Sequence, residues 1–151
     1  MREELKVVLE NSAWYQGRKK DVDYILDCLL HKGLTTPNEI IYKFIQEFEY
    51  VHLSHQTDNS IFIDVHFSVE EGIEHTPVEL HSAFEKIYGE FLVPVGYFGE
   101  HVGIIEMSYS GKLILIVPEE GMFFLGENLE VALENIFFEK QIVKIANIPE
   151  W

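Results

Sequence analysis

The chain has 151 residues and a formal net charge of −15, from 11 basic and 26 acidic side chains. Hydrophobic residues make up 47% of it, too many for a disordered acidic chain, so we expect the charge to lie on a folded surface. A field of this sign repels nucleic-acid phosphates and anionic lipids, which argues against direct binding to nucleic acid or membrane. The charge either attracts a basic protein partner or only keeps the chain soluble.

The excess of acid lies outside the first 35 residues. Residues 1–35 contain six basic and six acidic side chains, whereas residues 36–151 contain five and twenty. No signal sequence or apolar membrane span is recognisable. Cys28 is the only cysteine, which excludes an internal disulfide and is typical of a reducing compartment. We therefore expect one cytoplasmic domain over residues 1–151.

The first part of the chain has the periodicity of three helices. Leu5, Val8 and Leu9 share one face of the first. The second has Asp21 as a possible cap, Gly33 as its stop, and apolar residues spaced along one face, namely Val22, Ile25, Leu26, Leu29 and Leu30. The third begins at Thr36-Pro37-Asn38-Glu39, where Thr36 is the expected cap.

The period then changes to two, which is typical of strands. Ile61, Ile63, Val65 and Phe67 alternate with Phe62, Asp64 and His66, so the two sets point to opposite faces. We expect Tyr50–His55 to pair with this strand as a hairpin across residues 56–60.

The remaining pattern is a helix, a meander and a last helix. The helix opens at Thr76-Pro77, with Thr76 as a cap like Thr36. The expected later segments are strands Leu92–Phe98, Ile104–Tyr109, Lys112–Val117 and Met122–Leu125, a helix over Leu129–Phe137 and a possible strand at Ile142–Ile145. This order predicts an α+β fold, with N-terminal helices and a mostly antiparallel sheet that has helices packed on one face.

The sequence contains no recognisable catalytic or cofactor motif. It lacks a Gly-x-Ser-x-Gly elbow, and the spacing of Gly96, Gly99 and Gly103 is not that of a phosphate-binding loop. The acidic pairs Glu70-Glu71 and Glu119-Glu120 fall in expected loops, where solvated surface is their simplest role. We therefore expect no catalytic residue and no cofactor.

Seven histidines raise the question of a metal site. His52 and His55 are three apart, which sends them to opposite faces of a strand. Asp64 and His66 share a face but supply only two ligands. The sequence therefore predicts no metal site.

The segment around Trp14 and Arg18 has two possible roles. The two side chains could pack together and fix the first interhelical turn. They could instead form an exposed anchor for a partner, since aromatic residues and arginine are common at interface hot spots.

Two segments resemble the SUKH superfamily. Residues 9–18, LENSAWYQGR, resemble the opening of a branch with a Gly-Trp-x-x-x-Arg motif, with Ala13 in place of the glycine. Residues 125–135, LGENLEVALEN, resemble the family's last strand and helix. The resemblance implies a single α+β domain and a bacterial immunity protein, or antitoxin, that neutralises a secreted polymorphic toxin. Such toxins are commonly nucleases or deaminases, and the family has no shared catalytic residues.

The resemblance and the charge together predict a protein-binding surface and no enzyme activity. We expect the chain to bind and occlude a cognate toxin domain that is basic. The candidate contacts are the outward strand residues Phe62, Asp64 and His66 and the loop residues Glu70, Glu71, Tyr97, Phe98 and Glu100, because aromatics beside carboxylates suit such an interface. The alternatives are a regulatory module with an endogenous protein partner and, less favoured, a small enzyme.

Overall fold

The computed structural model describes residues 1–99, 102–139 and 141–151. The helices are α1 (Glu3–Glu10), α2 (Asp23–Lys32), α3 (Glu39–Phe48), α4 (Val69–His75), α5 (Val78–Tyr88) and α6 (Leu129–Glu134), which continues as a π-helical turn over Asn135–Glu139. The strands are β1 (Val51–Gln56), β2 (Phe62–Phe67), β3 (Leu92–Phe98), β4 (Gly103–Ser108), β5 (Leu113–Val117), β6 (Gly121–Gly126) and β7 (Val143–Ala146).

The seven strands form one sheet in chain order, and every neighbouring pair is antiparallel. Tight turns join β4 to β5 and β5 to β6, as expected where consecutive strands pair directly. The structure confirms the predicted α+β fold, the β1–β2 hairpin, the meander and the C-terminal strand.

The side chains of β5 show how the two faces of the sheet are used. Leu113, Leu115 and Val117 belong to the main core, which also contains buried residues from α1, α2, α3 and α6. Ile114 and Ile116 belong to a second cluster with Phe84 of α5. Most helices therefore cover one face of the sheet, and α5 covers the other over β3, β5 and β6.

The segment from Trp14 to Lys20 is tied to the C-terminal end of α3. The Trp14 indole N–H donates to Glu47 Oε1 over 2.9 Å, and its ring stacks on Phe48. The Arg18 guanidinium donates to the Glu47 carbonyl over 2.7 Å, where the helix dipole is negative. Both side chains therefore have a structural role that joins the first interhelical segment to α3.

The predicted threonine caps are wrong. The N-cap of α3 is Asn38, whose side chain accepts from the Ile41 N–H, and asparagine is a better cap than threonine. Pro77 precedes α5, while the Thr76 hydroxyl donates to the Gly72 carbonyl. Gly33 ends α2 in the left-handed conformation, as predicted.

Helix α4 occupies a segment that was predicted to be a loop. Ser68 caps it by accepting from the Glu71 N–H, and Glu70 and Glu71 lie in its first turn, where acidic groups stabilise a helix. Its buried residues are Val69, Gly72 and Ile73. The prediction that Glu70 and Glu71 lie in a loop is therefore wrong. The helix was not recognised because seven residues are too few to show a clear hydrophobic period.

The buried carboxylate of Glu49 joins the end of α3 to the start of α4. Its two oxygens accept from the Val69 N–H over 2.9 and 3.1 Å. Burial raises the pKa of Glu49 to about 7, although the Val69 N–H opposes this shift by favouring the charged form.

We expect Trp14→Ala to lower the free energy of unfolding by about 2 kcal/mol, less than for a fully buried aromatic residue. Arg18→Ala should cost about 1–2 kcal/mol through its lost hydrogen bond. The control is Tyr15→Ala, since Tyr15 is 62% exposed and should matter by less than about 0.5 kcal/mol. Urea unfolding measures all three, and equal stability of the three variants would contradict the structural role.

The pKa of Glu49 leads to a second prediction. The unfolded chain loses this proton near its ordinary pKa of 4.5, whereas the folded chain keeps it to about 7. Stability from this group therefore falls as the pH rises through that window, by at most about 1.4 kcal/mol per pH unit.

Glu49→Gln should lack this loss, so the difference between its free energy of unfolding and that of the wild type should rise in favour of the variant from about pH 5 to 7 and then level off. Urea unfolding at several pH values measures the difference. Glu74→Gln, which removes an exposed carboxylate from α4, controls for the change in net charge. Parallel curves for the wild type and Glu49→Gln would contradict the assignment.

Candidate functional site

The outer face of the β1–β2 hairpin carries a stack of three aromatic rings. His52 lies directly opposite His66 in the strand register, and His66 lies opposite Tyr97 of β3. The ring centroids of His52 and His66 are 3.8 Å apart, and those of His66 and Tyr97 are 4.5 Å apart. The planes are nearly parallel in both pairs, at 12° and 5°. We call His52, His66 and Tyr97 the ring stack.

Acidic groups flank the ring stack at both ends. The Asp64 carboxylate lies 2.9 Å from His52 Nε2, at hydrogen-bond distance. Glu71, in the first turn of α4, accepts a hydrogen bond from the Tyr97 hydroxyl. Burial, aided by Glu71, raises the pKa of Tyr97 to about 12, so this phenol stays protonated and remains a donor.

Tyr50 extends the same surface towards α4. Tyr50 lines a shallow depression together with His52, His66, Glu71 and Tyr97. Burial raises the pKa of Tyr50, and hydrogen bonds to Tyr24 and Glu70 raise it further. At about 160 Å³ the depression is smaller than typical small-molecule sites, which suits a surface for a protein better than a pocket for a substrate.

The structure brings most of the predicted contact residues together. Phe62, 66% exposed, begins β2, and Asp64 and His66 follow on the same face, opposite the buried Val65 and Phe67. Tyr97 joins them from β3. Glu70 and Glu71 adjoin them from α4 and not from a loop.

Two predicted contacts do not join this group. Phe98 follows Tyr97 directly, so its side chain points to the opposite face, where it packs against the main core. It is a poor candidate for a surface contact. Glu100 lies outside the described residues.

His52 was not among the contacts predicted from the sequence. The prediction that His52 and His55 face opposite sides is confirmed, since His55 packs against the rings of Phe137 and Phe138 on the core side. The position of His52 beside Asp64 and His66 depends on the hairpin register, which the residue pattern alone does not give. The register follows if the apolar residues Val51 and Phe67 are paired as buried neighbours. That pairing places His52 opposite His66.

A second group of titratable residues is buried beneath α5. The imidazole of His81 lies 3.6 Å from Glu106 and 3.7 Å from Glu85. Burial raises the pKa of Glu106, with His81 opposing the shift. For His81 burial lowers the pKa, but the two carboxylates outweigh it and the net direction is upward. His81 and Glu106 are 3% and 0% exposed, so a substrate has no access to them in this conformation.

A depression of about 730 Å³ lies away from both groups, beside α1. Leu9, Trp14 and Tyr15 are among its lining residues, with Lys6 and Glu10 as the charged ones. This lining contains no nucleophile paired with a base, so it offers no arrangement for catalysis. In the described parts of the chain, no helix has the length and hydrophobicity needed to cross a membrane.

Comparison with known proteins gives one match. No curated protein and no solved structure matches the chain. Residues 1–139 match the SUKH-3 immunity protein family, a range that includes every helix and six of the seven strands. This confirms the resemblance seen in the sequence, and it implies a cognate toxin as the partner. The chain belongs to the SUKH-3 immunity protein family, which is a family of immunity proteins and not of enzymes.

Proposed function

We propose that this protein binds a secreted polymorphic toxin through the outer face of the β1–β2 hairpin and the start of α4, and that it occludes the toxin's active site. The observation that carries this proposal is the ring stack with a carboxylate at each end. Helix α5 covers the other strands on this side of the sheet, whereas His52 is about half exposed.

The composition of this surface suits a basic partner. The exposed rings of Phe62 and His52 provide contact area, since aromatic residues are enriched at the centres of interfaces. Tyr97 is only 9% exposed, so it supports the stack through its contact with His66. Asp64, Glu70 and Glu71 add negative charge at the rim, where charge mainly increases the rate of association. The net charge of −15 attracts a basic partner from a distance as well.

A toxin that acts on nucleic acid fits these properties. Its active site must attract phosphates, so it presents positive charge that an acidic protein can cover. We therefore propose a nuclease or a deaminase as the partner. The immunity protein acts in the cytoplasm of the bacterium that makes the toxin, and it does so by steric and electrostatic occlusion.

The test uses the toxin domain encoded beside this gene. The wild type should capture it one to one and abolish its activity. The variant Glu70→Lys/Glu71→Lys should slow association by about tenfold at low ionic strength, because it reverses the charge at the rim of the ring stack. Stopped-flow or surface-based kinetics measure the rate, and circular dichroism checks that α4 is retained.

The matched control is Glu119→Lys/Glu120→Lys, in the turn between β5 and β6. It changes the net charge by the same amount, and it also replaces two acidic residues that are adjacent in the sequence. A control that slows association as much as the Glu70/Glu71 variant would show that only the overall charge matters, and would remove the rim from the proposed interface. Failure to capture the toxin at low salt would contradict the cognate pairing.

A further inference from the structure

The His52, Asp64 and His66 side chains form a cluster with the composition of a metal site. Each offers one potential ligand atom, and the three atoms all lie within 4.8 Å of one another. Two of them, His52 Nε2 and Asp64 Oδ1, are already 2.9 Å apart. The pattern of β2 alone supplies only Asp64 and His66, whereas the third ligand, His52, comes from the neighbouring strand β1.

We infer that His52, Asp64 and His66 bind a divalent transition-metal ion of the zinc class. Imidazole nitrogen suits zinc, copper and nickel, and a single carboxylate completes a common three-ligand set. The ion takes the place of the hydrogen bond between His52 Nε2 and Asp64 Oδ1, because a nitrogen that binds a metal cannot carry a proton. The inference does not depend on the proposed function.

The cluster needs only side-chain rotation to reach binding geometry. Bonds of about 2.0–2.2 Å place two ligands of a tetrahedral ion about 3.3–3.6 Å apart. His52 Nε2 and Asp64 Oδ1, now 2.9 Å apart, must therefore separate slightly, while the widest spacing, within 4.8 Å, must shorten. A ring nitrogen donates in the plane of its ring, so the stacked rings of His52 and His66 must tilt towards each other. His52 is exposed enough to rotate, and the paired strands hold the Cα positions of both residues.

Three protein ligands leave at least one coordination position open. The cluster lies on the outer face of the hairpin, so this position faces solvent and is filled by water or by a side chain of a bound protein. A closed structural zinc site has four protein ligands, and its loss unfolds a small domain. Here the two strands are anchored by the main core through Val51, Leu53, Val65 and Phe67, so removing the metal should leave the fold intact.

The test is calorimetric titration of zinc into the full chain, without an affinity tag and after treatment with a chelator. We expect one site per chain. His52→Ala, His66→Ala and Asp64→Asn should each weaken binding at least about tenfold. The control is His31→Ala, at the exposed C-terminal turn of α2, which should bind zinc as the wild type does.

A second measurement uses only the wild type, in case a variant fails to fold. On adding zinc, the NMR signals of the His52 and His66 rings should shift, while those of His31 and His55 stay in place. No saturable binding at micromolar zinc would overturn the inference, and so would binding that survives both histidine substitutions. The toxin is absent from these experiments, so either failure leaves the proposed function untouched.

Discussion

The alternation of side chains along the first two strands determines both the core and the candidate site. Val51 and Leu53 of β1 and Val65 and Phe67 of β2 point inward and join the main core. The same alternation turns His52, Asp64 and His66 outward, since neighbouring residues of a strand face opposite sides. A shift of one residue in either strand would bury these polar groups and expose the apolar ones. The burial of these core residues therefore fixes the strand register that places His52 opposite His66.

The acidic residues near the site also have structural roles. Glu71 lies in the first turn of α4, where its charge favours the helix, and it accepts a hydrogen bond from Tyr97 of the ring stack. Glu49 fixes the start of the same helix through the Val69 N–H. The negative charge at the rim is thus held on a short helix whose start is fixed by hydrogen bonds to the side chains of Glu49 and Ser68. In a flexible loop of the same composition the charges would have no fixed position. Such a loop would also lose more conformational entropy on binding.

The alternating pattern of β2 is strong enough that the face of Phe62, Asp64 and His66 could be predicted from the sequence. The neighbours of that face could not, because they depend on strand register. The hairpin loop was expected at residues 56–60, whereas β1 ends at Gln56 and β2 begins at Phe62. This closing pair sets the partner of every residue in β1. Phe98 was predicted to lie on the same surface as Tyr97, but adjacent residues of a strand face opposite sides and Phe98 packs against the main core. Helix α4 was not predicted, because a helix of seven residues is too short to show a clear hydrophobic period. Family resemblance came from the two ends of the matched region, which contain a helix-linking turn and a strand-to-helix junction.

Hydroxyl-radical footprinting of the free protein and of its complex with the toxin tests the location of the interface most directly, since it reads the solvent exposure of individual side chains. Phe62 and His52 lie on the proposed surface, whereas Leu30 on α2 and Phe91 before β3 are 68% and 59% exposed elsewhere. If the interface lies on this surface, labelling of Phe62 and His52 should fall on toxin binding, while labelling of Leu30 and Phe91 should be unchanged. Protection of Leu30 or Phe91, with Phe62 and His52 still labelled as in the free protein, would contradict it.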